Sequence, residues 1–222
     1  MLFARGRDLR LPTREEAPPG RPALAYEVPE RHLVLGTALQ GPYPAGFEVA
    51  DFAVGCFWGA ERRFWQTAGV WTTLTGFQGG HTPHPVDDEV RTGLTGHAET
   101  VRVVFDPARV AYGDLLALFW ESHDPTQGFR QGNDVGTHVR SVLFTHSPAQ
   151  QAAAERSRAA YQHALSAAGH GRITTDILPA TPHPFYPARA YHQQYLARNP
   201  YGYCGLGGTG VAFPAGVARV EG

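Results

Sequence analysis

The chain from Phe47 onward alternates between short runs of period two and longer runs of helical spacing. Phe47-Glu48-Val49-Ala50-Asp51-Phe52-Ala53-Val54 predicts a strand that runs straight into Gly55-Cys56-Phe57-Trp58-Gly59. Ala60 to Trp65 has an amphipathic, helical pattern, and Val70 to Phe77, rich in β-branched and aromatic residues, predicts a second strand. Glu99 to Phe105 alternates cleanly and places Val101, Val103 and Phe105 on one face of a third strand. Tyr112 to Glu121 predicts a short helix, and Val139 to Thr145 a fourth strand. The longest helix opens at Ser147-Pro148-Ala149-Gln150, with Ser as N-cap, Pro at the first helical position and Gln closing a capping box. Gly169 and Gly171 stop it. Ile173 to Leu178 predicts a further strand, and Arg189 to Arg198 a last helix.

Outside these elements the chain is punctuated by turn chemistry. Residues 1–45, with PTREEAPPGRP, VPERH and GPYPAG, predict an extended arm that either wraps the domain or stays mobile. Gly79 to Gly96 reads as a loop, and NPYGYCGLGGTG as a C-terminal coil. The element order predicts an α+β fold: a two-layer α/β sandwich, ferredoxin-like, with helices packed on a mostly antiparallel sheet. One catalytic domain is expected over residues 46–222.

Composition narrows the function classes. With 222 residues, 42% of them hydrophobic, the chain can bury one sizeable core. A net charge of −1 gives no electrostatic case for nucleic acid or for an anionic membrane as partner. No run approaches the ~20 apolar residues of a membrane span, and MLFARGRDLRLPTREE lacks the apolar middle of a secretory signal. A cytoplasmic monomer is expected. Two cysteines, Cys56 and Cys204, are too few for a stapled secreted scaffold. They are either inert buried thiols or a pair that cycles between dithiol and disulfide.

Cys56 stands where a strand ends and a helix begins, between two glycines. A helix N-terminus presents free N–H groups and partial positive charge, which favour thiolate over thiol. Phe57 and Trp58 are placed to wall a small apolar pocket. A core cysteine at a tight turn, with aromatics packed over it, fits the same local features.

Gly-Cys-Phe-Trp-Gly is followed by Thr95-Gly96-His97-Ala98-Glu99 and by Arg130-Gln131-Gly132-Asn133-Asp134-Val135-Gly136-Thr137. Then come His192-Gln193-Gln194-Tyr195-Leu196 and Asn199-Pro200-Tyr201-Gly202-Tyr203-Cys204-Gly205. Over residues 47 to 211 the chain resembles peptide methionine sulfoxide reductase of the A type. The resemblance implies that Cys56 attacks the sulfur of a methionine S-sulfoxide while Glu99, kept protonated by desolvation, protonates the leaving oxygen. It further implies a Cys56 sulfenic acid, resolution by Cys204 to a disulfide, and reduction by thioredoxin, with no bound cofactor or metal. Phe57, Trp58 and Asp134 would line or order the substrate pocket.

Several positions depart from the family pattern. Asp87 and Val139 stand where the family usually has two tyrosines that bind the sulfoxide oxygen; an ionised Asp only accepts, and Val has no polar group. Each lost donor is expected to cost roughly 10²–10³ in rate by analogy with oxyanion holes. His138 replaces a common Gln, and Phe185-Tyr186-Pro187-Ala188-Arg189 lacks the usual acidic pair. One expectation is a repair enzyme in which His138, water or a protonated Asp87 partly replaces those donors. The alternative is a diverged paralogue using Cys56 and Glu99 on another small molecule, for instance in biosynthesis, with or without redox turnover. His81-Thr82-Pro83-His84 as a metal half-site is the weakest reading, because no Cys lies nearby.

Overall fold

Val101, Val103 and Phe105 face the main core from a central strand, as their alternation requires. The structure is a computed structural model that describes residues 9–217. Its six-stranded sheet contains β1 (Glu48–Val54), β2 (Val70–Gln78), β3 (Ala98–Phe105), β6 (Ser141–Thr145), β7 (Asp176–Pro179) and β8 (Tyr186–Pro187) in the order β7-β6-β1-β3-β2-β8. All neighbours are antiparallel except β6 and β7. A separate hairpin joins β4 (Arg130–Gln131) to β5 (Asp134–Val135). The helices are α1 (Phe57–Trp65), α2 (Asp87–Arg91), α3 (Tyr112–Ser122), α4 (Pro148–Ala167) and α5 (Tyr195–Arg198). The α+β sandwich with a mostly antiparallel sheet is as expected, and no strand order closes it into a barrel.

On one face, Phe64 of α1 stacks on Phe52 of β1 at 4.7 Å between ring centroids, and Phe119 of α3 packs beside them. Trp120 Nε1 donates to Ser157 Oγ at 2.9 Å, joining α3 to α4 without an orphaned indole N–H. Ser147 caps α4, its hydroxyl accepting from Gln150 N at 3.1 Å. Across the sheet, Asp51 is fully buried and its carboxylate accepts from Arg102 Nε and Nη2, each at 2.8 Å, and from His146 Nε2 at 2.9 Å. Burial pushes the Asp51 carboxyl up, but Arg102 and His146 outweigh it and leave it at about 2. The deep ion pair survives because both carboxylate oxygens are matched.

Residues 9–46 wrap the domain. Arg21 forms a two-pronged pair with Glu89, at 2.7 and 2.8 Å. Tyr26 donates to the Pro187 carbonyl at 2.9 Å. His32 is buried; its Nε2 meets Thr73 Oγ1 at 2.9 Å and its Nδ1 accepts from Val34 and Leu35 N–H, both at 3.1 Å.

Some elements differ from the sequence expectation. The last helix covers Tyr195–Arg198 only, because residues 189–194 are committed elsewhere. Gln193 bonds Thr75 N and O, and Gln194, at φ 48°, turns its N–H and amide to Glu61. Val139 belongs to a 3₁₀ turn over Thr137–Val139, so the fourth predicted strand starts at Ser141. The 79–96 loop contains α2, which is too short to show a period.

Candidate active site

Gly55 makes the turn between β1 and α1 at φ 104°, where a Cβ would lie 2.7 Å from Gln131 Cβ. Cys56 is the N-cap of α1 and is 8% exposed. Its sulfur makes no capping hydrogen bond, but the nearby Trp58 backbone N–H favours thiolate, as expected of a helix end. Burial is the larger effect, however, and with the nearby Glu99 and Asp134 carboxyls it pushes the thiol well above its ordinary value. The helix end and the burial of the sulfur thus act in opposite directions on the Cys56 thiol.

The same helix end holds a buried carboxyl. Glu99, near the start of β3, is 9% exposed, and its Oε2 accepts the first N–H of α1, from Phe57, at 3.2 Å. Desolvation raises its carboxyl to about 7, partly opposed by that hydrogen bond and by the charge of Arg91. A group poised there passes protons in either direction at neutral pH. As Glu99 carries less charge, the thiolate of Cys56 becomes less costly, so the two groups are linked electrostatically.

A cleft of about 360 Å³ opens over them, lined by Phe57, Trp58, Asp134, His138, Val139 and Tyr203, with Arg91 also on its wall. The Trp58 indole stacks on Tyr195 at 3.9 Å and donates from Nε1 to His192 Nδ1 at 3.1 Å. Asp134 Oδ2 accepts from Tyr203 OH at 3.0 Å, which ties the C-terminal coil to the β4–β5 hairpin. The next residue, Cys204, is exposed and unpaired. Its Sγ lies over α1, where a Cβ on Gly59 would be only 2.5 Å away. Below the cleft, buried Arg140 donates from Nη1 to Thr137 O at 2.8 Å and from Nη2 to Gly96 O at 3.0 Å.

Cys56, Glu99, Phe57, Trp58, Asp134, His138 and Val139 thus share one cleft, with Cys204 at its rim. Asp87 is not among the residues lining it. Its Oδ2 accepts from Arg189 Nη2 at 2.7 Å and lies 3.5 Å from His192 Nε2. Two departures from the family pattern, Asp87 and Arg189, therefore meet each other. Arg91 and Tyr203 are cleft residues that sequence reasoning missed. Arg91 carried a signal as a cation in an acidic stretch, Asp87-Asp88-Glu89-Val90-Arg91, and Tyr203 as the neighbour of Cys204. Among the described residues no group of three or more His, Cys, Asp or Glu is placed to hold a metal ion.

The family model for peptide methionine sulfoxide reductase matches residues 48–209. The chain belongs to the peptide methionine sulfoxide reductase family. It is 66% identical over 221 residues to peptide methionine sulfoxide reductase MsrA of Streptomyces griseus subsp. griseus, with all of both chains covered. It is 60% identical to MsrA 2 of a Nostoc species, over 97% of this chain and 96% of that one. Among solved structures, methionine sulfoxide reductase A of Corynebacterium diphtheriae superposes with a TM-score of 0.82 at 46% identity, covering 88% and 93% of the two chains. The cleft that holds Cys56 and Glu99, with Cys204 following the cleft residue Tyr203, is the candidate site of this family member.

Proposed function

We propose that the chain reduces methionine S-sulfoxide, with Cys56 as nucleophile, Glu99 as acid and Cys204 as resolving thiol. The observation that supports this reading is the shared helix end, where the Phe57 N–H, 3.2 Å from Glu99 Oε2, holds that carboxyl in the cleft that Cys56 also lines. Cys56 Sγ attacks the sulfoxide sulfur as Glu99 passes its proton to the oxygen, and the thiol proton returns to the Glu99 carboxylate. The oxygen leaves the substrate sulfur as hydroxide and bonds to Sγ, the new Sγ–sulfur bond breaks with its electron pair passing to the departing methionine, and Cys56 is left oxidised as a sulfenic acid. Cys204 then displaces that hydroxyl as water and forms the disulfide, which a dithiol protein of the thioredoxin class reduces.

The Arg91 guanidinium, at the cleft, supplies donors for the sulfoxide oxygen where Val139 has none, while the single Tyr203 hydroxyl proton is held by Asp134. Phe57 and Trp58 receive the methyl-bearing side of the substrate. Two unpaired cysteines suit a reducing, cytoplasmic setting and a monomer that cycles alone. No helix among the described residues is long and apolar enough to cross a membrane.

The test is to mix the reduced protein with excess peptide methionine S-sulfoxide and no reductant. About one methionine per chain should form, and both thiols should be lost. No methionine with two intact thiols overturns the reading and leaves another small molecule as substrate.

A further inference from the structure

The contacts around Trp58 continue past the cleft. Trp58 Nε1 donates to His192 Nδ1 at 3.1 Å, so Nδ1 must be the acceptor and the ring proton must sit on Nε2. His192 is buried, and burial holds its pKa below the ordinary value, so the ring carries a single proton at neutral pH. That Nε2 has no hydrogen-bond partner among the described residues. It faces Asp87 Oδ2 at 3.5 Å, longer than a hydrogen bond but close enough for a carboxylate to select the N–H. The same oxygen accepts from Arg189 Nη2 at 2.7 Å, which fixes the carboxylate in place.

We propose that Asp87, held by Arg189, sets the tautomer of His192 and through it the orientation of the Trp58 indole in the cleft. The logic is one of donors and acceptors. A carboxylate cannot donate, so it tolerates only an Nε2–H ring, and only that ring leaves Nδ1 free to accept the indole proton. Stacking on Tyr195, at 3.9 Å and 19° between planes, fixes the plane of the indole but leaves rotation within that plane free. The hydrogen bond to His192 removes that freedom. Asp87 and Arg189 are thus positioning residues, acting on the substrate only through Trp58. The importance of Trp58 rests on the proposed sulfoxide reduction; the tautomer relay does not.

The test exchanges the pair, Asp87→Arg with Arg189→Asp. This keeps an ion pair but turns a donor toward Nε2. Asp87→Asn is the gentler companion: its oxygen pairs with Arg189 and its NH₂ faces the ring. Nitrogen-15 imidazole spectra, with His192 assigned through His192→Gln, report the tautomer directly. The wild-type protein should show Nε2–H. Both variants should show Nδ1–H, a displaced Trp58 indole N–H signal (assigned through Trp58→Phe), and a KM for peptide methionine sulfoxide raised roughly tenfold, with less change in kcat. An unchanged tautomer and indole signal in the variants overturns the relay. A reversed tautomer with unchanged KM overturns the link from Trp58 orientation to substrate binding. The spectra need no turnover, so a wild-type protein inactive on sulfoxide counts against the function while the relay is still judged.

Discussion

Phe57 N donates to Glu99 Oε2 across 3.2 Å, so the backbone of the residue after the proposed nucleophile anchors the proposed acid. This fixes what Glu99→Gln should do. The amide can still accept that N–H but cannot deliver a proton. Methionine formed in a single turnover should slow by roughly 10²–10⁴, while the thermal midpoint holds or rises. Because the acid must be protonated and sits at about 7, the wild-type rate should fall as pH climbs through that value. A pH series of single-turnover rates checks both statements.

Arg91 offers a separate handle on the same acid. Its charge lowers the Glu99 pKa, so Arg91→Met should move the pH midpoint upward. If its guanidinium also binds the sulfoxide oxygen, kcat/KM should drop by roughly tenfold or more. The two effects separate in one pH profile, since the first shifts the curve sideways and the second lowers its plateau.

Gly59 is the floor on which the Cys204 sulfur rests. A Cβ there would come within 2.5 Å of Sγ and 3.0 Å of Leu206 Cγ. Gly59→Ala should leave the first methionine almost unaffected, because Cys56 and Glu99 stay in place. Disulfide formation should slow by roughly tenfold, as the coil is lifted from α1. Rapid-quench counting of free thiols after one turnover distinguishes the two steps.

Two buried carboxyls give the fold an uncommon pH dependence. Glu61 and Glu99 both rise from 4.5 to about 7, in each case mainly through desolvation. A folded-state pKa above the unfolded one means that the folded protein holds the proton more tightly. The stabilisation is full below about 4.5, declines as pH rises, and is gone above about 7. Together the two should remove a few kcal/mol between those limits, as an order of magnitude. Asp51, held at about 2, loses its contribution only at much lower pH. Urea midpoints across pH 4.5 to 8 should therefore decline, and Glu61→Gln should flatten part of the slope.

The legible parts of the chain were those whose local chemistry and tertiary role agree. β3 shows its face through Val101, Val103 and Phe105, and α4 announces its start through Ser147 and Pro148. Cys56, Phe57, Trp58 and Glu99 were readable through motifs of fixed spacing. Residues 189–194 were not, because their helical pattern is overruled by bonds from Gln193 and Gln194 to Thr75 and Glu61, far away in sequence. Nor was the place of Asp87 readable, since its partner Arg189 lies 102 positions away and no local rule joins them. The balance of effects on the Cys56 thiol was out of reach for a similar reason: a helix end is visible in sequence, whereas the burial that opposes it is a property of the assembled cleft.

Arg140 gives the cleft a mechanical character. One guanidinium grips the carbonyls of Gly96 and Thr137, which lead along the chain into the cleft residues Glu99 and His138. It works as a rivet through both plates, so the acid-bearing wall and the His138 wall cannot drift apart independently. The fork geometry is what allows a double grip, and a lysine, with one compact ammonium, would hold one plate and release the other.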